Sequence, residues 1–313
     1  RASAARGVAA MRAAALAMRK NAETVTPQHA LLCQLCLVAR TPHAALALLR
    51  EPIFDVDPPA SGLTATHFLQ YCYYGGMVLA GARQYAEALE LFNQAVSMPG
   101  SMASAISVAA YKKAVLVSLL LHGQAPAVPK LALPMVHSQL HLSACPEYQE
   151  LVTRYADHDI HRVREHLQAK KEVFERDGNY GLAEECVQHL HKRNIQRLTK
   201  TYLTLSLEDI ASFVQLASAK EAERMILGMI ESGDIYATID QKDGMVSFKE
   251  DPEQYNSMGM VANLDQQIQR VMQLSQRVQE LHSQVSCSAN YLHKVTARER
   301  QQRWPDSEDA FLS

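Results

Sequence analysis

From Pro27 to about Leu190 apolar residues recur at helical spacing, the pattern of helices that each hide one stripe against a neighbour. A chain patterned this way is confined to packed helices. Leu31, Leu32, Leu35 and Val38 make a first stripe, Ala45, Leu46 and Leu49 a second, and Thr41-Pro42 between them is a break and restart, so a helical hairpin is expected. Residues 52–62 (PIFDVDPPASG) are a loop by composition, after which Thr66 to Gly81 and Tyr85 to Met98 form a second hairpin. In it Gly76, Tyr85, Ala88, Phe92 and Ala95 stand at offsets like those of a tetratricopeptide repeat, where small residues let two helices approach and aromatics fill the groove. A third unit runs from Ala103 to Leu121 and closes at His122-Gly123, and a connection carrying Pro126, Pro129 and Pro134 leads to further helices. Repeated pairs predict a solenoid.

After Arg197 the pattern changes. Residues 186–203 read as one amphipathic helix, and Ser206, with Asp209 three positions on, is an N-cap signal for a short second helix. Ser218 caps a third, Lys220 to Glu231, whose Ala222, Met225, Ile226, Met229 and Ile230 share one face. Ile235, Ala237 and Ile239 then alternate with Tyr236 and Thr238, and Asp243-Gly244 separates them from Met245 to Phe248, a hairpin signal. Three helices followed by a hairpin is the order of a winged helix. Beyond it Leu264, Val271, Val278 and Val285 lie seven apart, with Leu274 and Leu281 at the offset positions. The seam is imperfect, since Gln267 holds the earlier offset position with Ile268 beside it. The expected divisions are 1–25, an Ala/Arg-rich segment; 26–185, repeats; 186–252, the winged helix; 260–292, the heptad helix; and 293–313, a disordered polar tail. The first segment carries Arg1, Arg6, Arg12, Arg19 and Lys20 without an acid in its first twenty residues. That fits a transit peptide or, on the favoured reading, an Ala-rich internal helix with more sequence upstream.

Charge and composition narrow the function. The 31 Lys and Arg nearly cancel the 33 Asp and Glu, so no global field gathers polyanions. The longest apolar runs, as around Leu119 to Leu121, fall far short of the roughly 20 residues of a bilayer span, so a soluble chain is expected and no membrane partner. Six irregularly spaced cysteines fit a reducing compartment.

The motifs that could carry chemistry each have a plainer reading. His189-Leu190-His191 and Ser206-Leu207-Glu208-Asp209 echo a His-x-His/Ser-x-x-Asp zinc site, but the gap between them is too long, and histidines two apart on a helix point about 200° apart. Ser206 and Asp209 are a helix cap. Cys33-Gln34-Leu35-Cys36 has no second pair and sits among leucines, where a thiol packs as a small apolar group. His158, His161 and His166, among Asp157, Asp159 and Arg162, read as a solvated face. No phosphate-binding loop or nucleophile elbow occurs, and Tyr74-Gly75-Gly76 reads as close helix packing. No catalytic residue, metal or cofactor is expected.

A helical array running into a winged helix and a long C-terminal helix resembles the PCI proteins, the family shared by the proteasome lid, the COP-nine signalosome and a translation initiation factor. Residues 29–39 (HALLCQLCLVA), 67–77 (HFLQYCYYGGM), 111–121 (YKKAVLVSLLL), 192–211 (KRNIQRLTKTYLTLSLEDIA) and 241–248 (QKDGMVSF) are similar to a PCI subunit of the signalosome. The resemblance spans Thr26 to Val285. It implies a non-catalytic frame subunit found in cytoplasm and nucleus, whose partners are the other signalosome subunits and, indirectly, cullin-RING ubiquitin ligases. In that complex a zinc metalloprotease on a different subunit removes a ubiquitin-like modifier from cullins. The resemblance also implies that winged helices meet edge to edge and C-terminal helices bundle.

Two surfaces are therefore candidates. The open edge of a two-stranded wing offers unpaired backbone groups to a neighbouring strand, with Ile235, Ile239, Val246 and Phe248 as apolar contributors; the plainer reading is that these four cap the winged-helix core, and at least two of them are expected to do so. The heptad helix offers Leu264, Ile268, Val271, Leu274, Val278, Leu281 and Val285 to a bundle. The alternative is a PCI winged helix that binds nucleic acid in an mRNA-export or translation-type complex. Charge opposes it: from Ala219 to Asp251 four bases (Lys220, Arg224, Lys242, Lys249) face eight acids (Glu221, Glu223, Glu231, Asp234, Asp240, Asp243, Glu250, Asp251). The basic run Lys192, Arg193, Arg197 and Lys200 reads as a solvated or partner-facing stripe, and no nucleic-acid partner is expected.

Overall fold

The computed structural model describes residues 2–21, 23–51, 53, 56, 61–98, 104–127, 145–249 and 258–303. Pro129 and Pro134, and residues 304–313 of the expected tail, lie outside them. Two compact units divide the chain, residues 1–249 and 250–313.

The first unit opens with α1 (Ala2–Met18), which packs on α2 (Pro27–Ala39) through Val8 and Ala15. The Ala/Arg-rich opening segment is thus a helix packed on the array, as the internal-helix reading expects. Pro27 begins α2, where its missing N–H leaves nothing unpaired. Arg40 ends it in the left-handed region (φ 59°), and α3 (His43–Leu49) restarts after Pro42. The second hairpin is α4 (Ala65–Gly81) and α5 (Tyr85–Ser97), with Thr64 accepting from the His67 amide at 3.2 Å to cap α4. The tetratricopeptide-like offsets are structural: a Cβ on Gly76 would meet the Phe92 ring at 2.6 Å, and one on Gly75 would meet Leu49 and Leu91 at 2.9 and 3.0 Å. Only a bare backbone fits there.

Next comes α6 (Ala105–Leu121), largely apolar and buried between two cores. Ala110, Ala114 and Val117 serve the core of α4 and α5, while Val115, Leu116 and Leu119 serve a second core that continues to Phe248. That second core takes in α7 (Pro146–Ala156), α8 (Ile160–Ala169), α9 (Lys171–Arg176) and the 22-residue α10 (Tyr180–Thr201). The boundary expected at 185/186 falls inside α10, which packs on α6 and α8 and is also the first helix of the winged helix. Array and winged helix share one continuous core.

The winged helix continues with β1 (Thr204–Ser206), α11 (Leu207–Phe213), α12 (Ala219–Glu231), β2 (Ala237–Asp240) and β3 (Met245–Phe248). Ser206 and Ser218 cap α11 and α12 as expected, accepting from the Asp209 and Glu221 amides at 3.0 and 3.3 Å. The sheet corrects the two-stranded expectation. Its order is β1-β3-β2, all antiparallel, with Leu205 opposite Val246 and Ile239 opposite Val246 on the other side. The second unit contains α13 (Met258–Ser286) and α14 (Ala289–Arg303), so residues 293–303, expected as disordered tail, are helical.

Candidate partner-binding surfaces

The wing presents its backbone, and its apolar side chains turn inward. Val246 is fully buried, Ile235 and Phe248 nearly so, and Ile239 packs partly buried against the same core. These four were expected as apolar contributors to an edge contact; three of them have no side-chain surface to offer, because alternation on a one-sided sheet sends them to the domain core. Strand β3 is also no edge, since β1 pairs with one side of it and β2 with the other.

Two edges remain open, and they differ. The β2 edge is charged and polar: Asp240, Gln241 and Lys242 are exposed, and Asp240 accepts from the Lys242 amide at 3.0 Å. Charge of this kind blunts an edge against added strands. The β1 edge is apolar. Leu203, just before the strand, is 80% exposed, and Tyr202 stacks on Phe213 with ring centroids 6.1 Å apart and planes at 23°, both rings facing solvent. The Leu203 carbonyl accepts from the Phe248 amide at 2.8 Å, which extends the ladder past β1 and fixes this segment as strand-like. Sequence reasoning passed over Tyr202, Leu203 and Phe213, because at a helix end they read as the tail of an amphipathic face.

All seven seam residues of α13 are exposed, from 41% at Leu281 to 64% at Val271 and Val278. An apolar stripe this exposed on one helix is a candidate contact surface. Glu280 accepts from Arg277 at 3.2 Å and from Gln276 at 3.3 Å, so polar pairs lie beside and behind the stripe.

The groups singled out for chemistry hold the first unit together. Ring nitrogen Nδ1 of the buried His191 lies 3.1 Å from the Val214 carbonyl and Nε2 lies 3.3 Å from Arg164, tying α10 to α11 and α8. Burial keeps its imidazole below the ordinary value. His189 meets Tyr85 edge-on instead. His166, expected on a solvated face, is buried, with Nε2 2.9 Å from the Glu147 carbonyl and Nδ1 3.5 Å from Glu150. The helical period places it opposite its exposed neighbours. Cys33 and Cys36 are buried, and burial pushes both thiols up, the setting of cysteines that pack as small apolar groups.

The basic stripe on α10 also has internal partners: Arg193 donates to the Leu120 carbonyl at 3.0 Å, capping the end of α6, and Lys192 pairs with Asp234 at 3.2 Å. Lys112 and Asp177 pair at 2.6 Å beside a cavity of about 220 Å³ also lined by Tyr73 and Asn179, so the charges at its wall are already neutralised. Among the described residues no three His, Cys, Asp or Glu side chains converge as a metal-ligand set. No described helix is long and apolar enough to cross a membrane.

Comparison with known proteins agrees with this architecture. Residues 1–136 match the family described as COP9 signalosome complex subunit 3, N-terminal helical repeats, and residues 155–250 match the PCI domain. The COP9 signalosome complex subunit 3 of Arabidopsis thaliana is 41% identical over 297 residues, covering 95% of this chain and 67% of that protein. Its counterpart in Drosophila melanogaster is 39% identical over 293 residues, covering 89% of this chain and 65% of that protein. The chain therefore spans about two thirds of the length of these relatives. Repeats, winged helix and sequence identity agree: the chain belongs to the COP9 signalosome subunit 3 family, a family of non-catalytic PCI subunits.

Proposed function

We propose that this chain is a scaffold subunit of the COP9 signalosome and supports cullin deneddylation, and so the regulation of cullin-RING ubiquitin ligases, by assembly rather than by chemistry. The exposed apolar stripe of α13 carries this reading: seven aliphatic side chains in water over a 29-residue helix have a use only when other helices cover them. Each aliphatic side chain so covered contributes roughly 1.5–3 kcal/mol. The winged helix adds a second contact, strand pairing along β1 with Leu203, Tyr202 and Phe213 as the apolar border, in place of the wing residues first considered. The partners are the other signalosome subunits, with cullin-RING ligases reached indirectly, in cytoplasm and nucleus.

The test is a tagged pull-down of the full chain from native extract, with native mass spectrometry and a deneddylation assay on the eluate. A stoichiometric particle with zinc-dependent activity is expected. Changing Val271, Leu274, Val278 and Leu281 to Asp should abolish recovery while circular dichroism of the chain stays unchanged; undiminished recovery would refute the reading. Nucleic-acid binding is opposed by the acid surplus over α12 and the wing. Anisotropy with labelled duplex and single strand at two salt concentrations checks it, since phosphate binding weakens steeply with salt.

A further inference from the structure

One carboxylate, at the junction of α6, α7 and the turn before α10, serves two largely buried amines. Lys113 Nζ donates to Asn179 Oδ1 at 2.6 Å, Asn179 Nδ2 donates to the Tyr148 hydroxyl at 2.7 Å, and that hydroxyl donates to Asp177 Oδ2 at 3.0 Å. Lys112 Nζ donates to the same Oδ2 at 2.6 Å. Both relays therefore end on Asp177. Lys113 is 8% exposed, and the side chains of Lys112 and Asp177 are each 15% exposed. Among the described residues no second carboxylate pairs with either amine, and the nearby Arg176 adds a further cation, its Nε 3.9 Å from Asp177 Oδ1. The charges do not balance. Burial pulls the Lys113 amine down to about 8, which still leaves it mostly protonated at neutral pH. A surplus charge held away from water is costly until an opposite charge approaches it.

The cavity of about 220 Å³ lies beside this relay. Lys112, Asp177 and Asn179 form its polar wall, and Ala105, Val108, Ala109 and Tyr73 form the rest. The Lys112–Asp177 pair on the wall is neutral by itself, so the surplus comes from Lys113 behind it. Ala105 directly follows the N-cap Ser104, which puts the positive end of the α6 dipole at the same place. Tyr73 makes ring contacts with Tyr74 and Phe92, and among the described residues its hydroxyl makes no hydrogen bond. That hydroxyl and the spare protons of Lys112 are donors for an oxyanion. Shape and charge then choose the occupant. The small aliphatic side chains suit a short hydrocarbon stem. Two buried ammonium groups against one carboxylate leave one positive charge, which matches a monoanion rather than a phosphate, whose charge approaches two.

We infer that this cavity seats a glutamate side chain of another chain, its carboxylate taken by Lys112 and the Tyr73 hydroxyl and its stem lying along Ala105, Val108 and Ala109. No residue of the wing or of α13 takes part, so the site stands or falls independently of the bundle reading. Calorimetric titration of the full chain with the blocked tripeptide acetyl-Ala-Glu-Ala-amide tests it, with the corresponding glutamine and phosphoserine tripeptides for comparison. The glutamate peptide should bind at one site about tenfold more tightly than either of the others. Lys112→Gln, which removes the surplus charge, and Ala109→Leu, which fills the apolar side of the cavity, should each weaken it about fivefold with circular dichroism unchanged. Tyr73→Phe, which removes a single oxygen, should weaken it about twofold and decides the matter if either of the other variants disturbs the fold. No binding of the glutamate peptide, equal binding of the glutamate and glutamine peptides, or an affinity that none of the three variants moves would overturn the inference. Tighter binding of the phosphoserine peptide would overturn the choice of a carboxylate.

Discussion

At the scale of single residues, the positions legible in the sequence are those where shape leaves one choice. Gly76 could be read from its offset to Phe92, and the structure gives the reason: an added Cβ would overlap the ring at 2.6 Å. Gly76→Ala should destabilise the first unit by about 1–3 kcal/mol, seen as a lower urea midpoint with unchanged slope. Other residues were illegible because burial is not written locally. Nothing local marks Lys113 as buried, yet it is 8% exposed and donates to Asn179 at 2.6 Å, while Asn179 donates to Tyr148 at 2.7 Å. Burial pulls the Lys113 amine down to about 8 from its ordinary 10.5. Its folded value lies below its unfolded one, so its contribution is complete above pH 10.5 and is lost as pH falls toward 8. Comparing Lys113→Met with the parent isolates this from thiols and phenols. The stability of the parent relative to the variant should rise by about 1–2 kcal/mol between pH 7.5 and 9.5, at up to about 1.4 kcal/mol per pH unit, in urea titrations.

At the scale of elements, caps and periods placed the helices well, since a Ser or Thr before an apolar run satisfies amides whatever the rest of the chain does. Strand β1 escaped notice for the opposite reason. Three residues carry too little alternation to signal a strand, and β1 exists because β3 offers it a ladder. The joint between α8 and the winged helix is likewise a long-range product: Gln215, itself at φ 58°, accepts from the Ile160 and His161 amides at 3.1 and 3.2 Å and so helps Asp159 cap α8 across 55 residues of chain. Gln215→Ala should cost about 1 kcal/mol, and hydrogen exchange should quicken first in the opening turn of α8. An unchanged exchange rate there would mean that Asp159 suffices.

At the scale of the whole molecule, the core that runs from Val96 to Phe248 joins array and winged helix into one unit, although their patterns look separate in the sequence. Ile226, fully buried on α12, should therefore speak for both. Ile226→Ala should cost about 2–5 kcal/mol, and exchange protection of α6 and α12 amides should fall together. Loss confined to α12 would show two cooperative units. What the sequence by itself determined was each helix, its capped ends, the order of three helices and a hairpin, and the heptad seam, because those depend on neighbours three to seven residues away. What only the tertiary structure decided was which faces were already taken. It turned Ile235, Val246 and Phe248 inward, paired the wing with β1, and left Leu203 and the Tyr202–Phe213 stack at an open edge. Burial is a property of contacts between residues far apart in the chain, and local periodicity carries no record of which of two apolar faces finds a partner first.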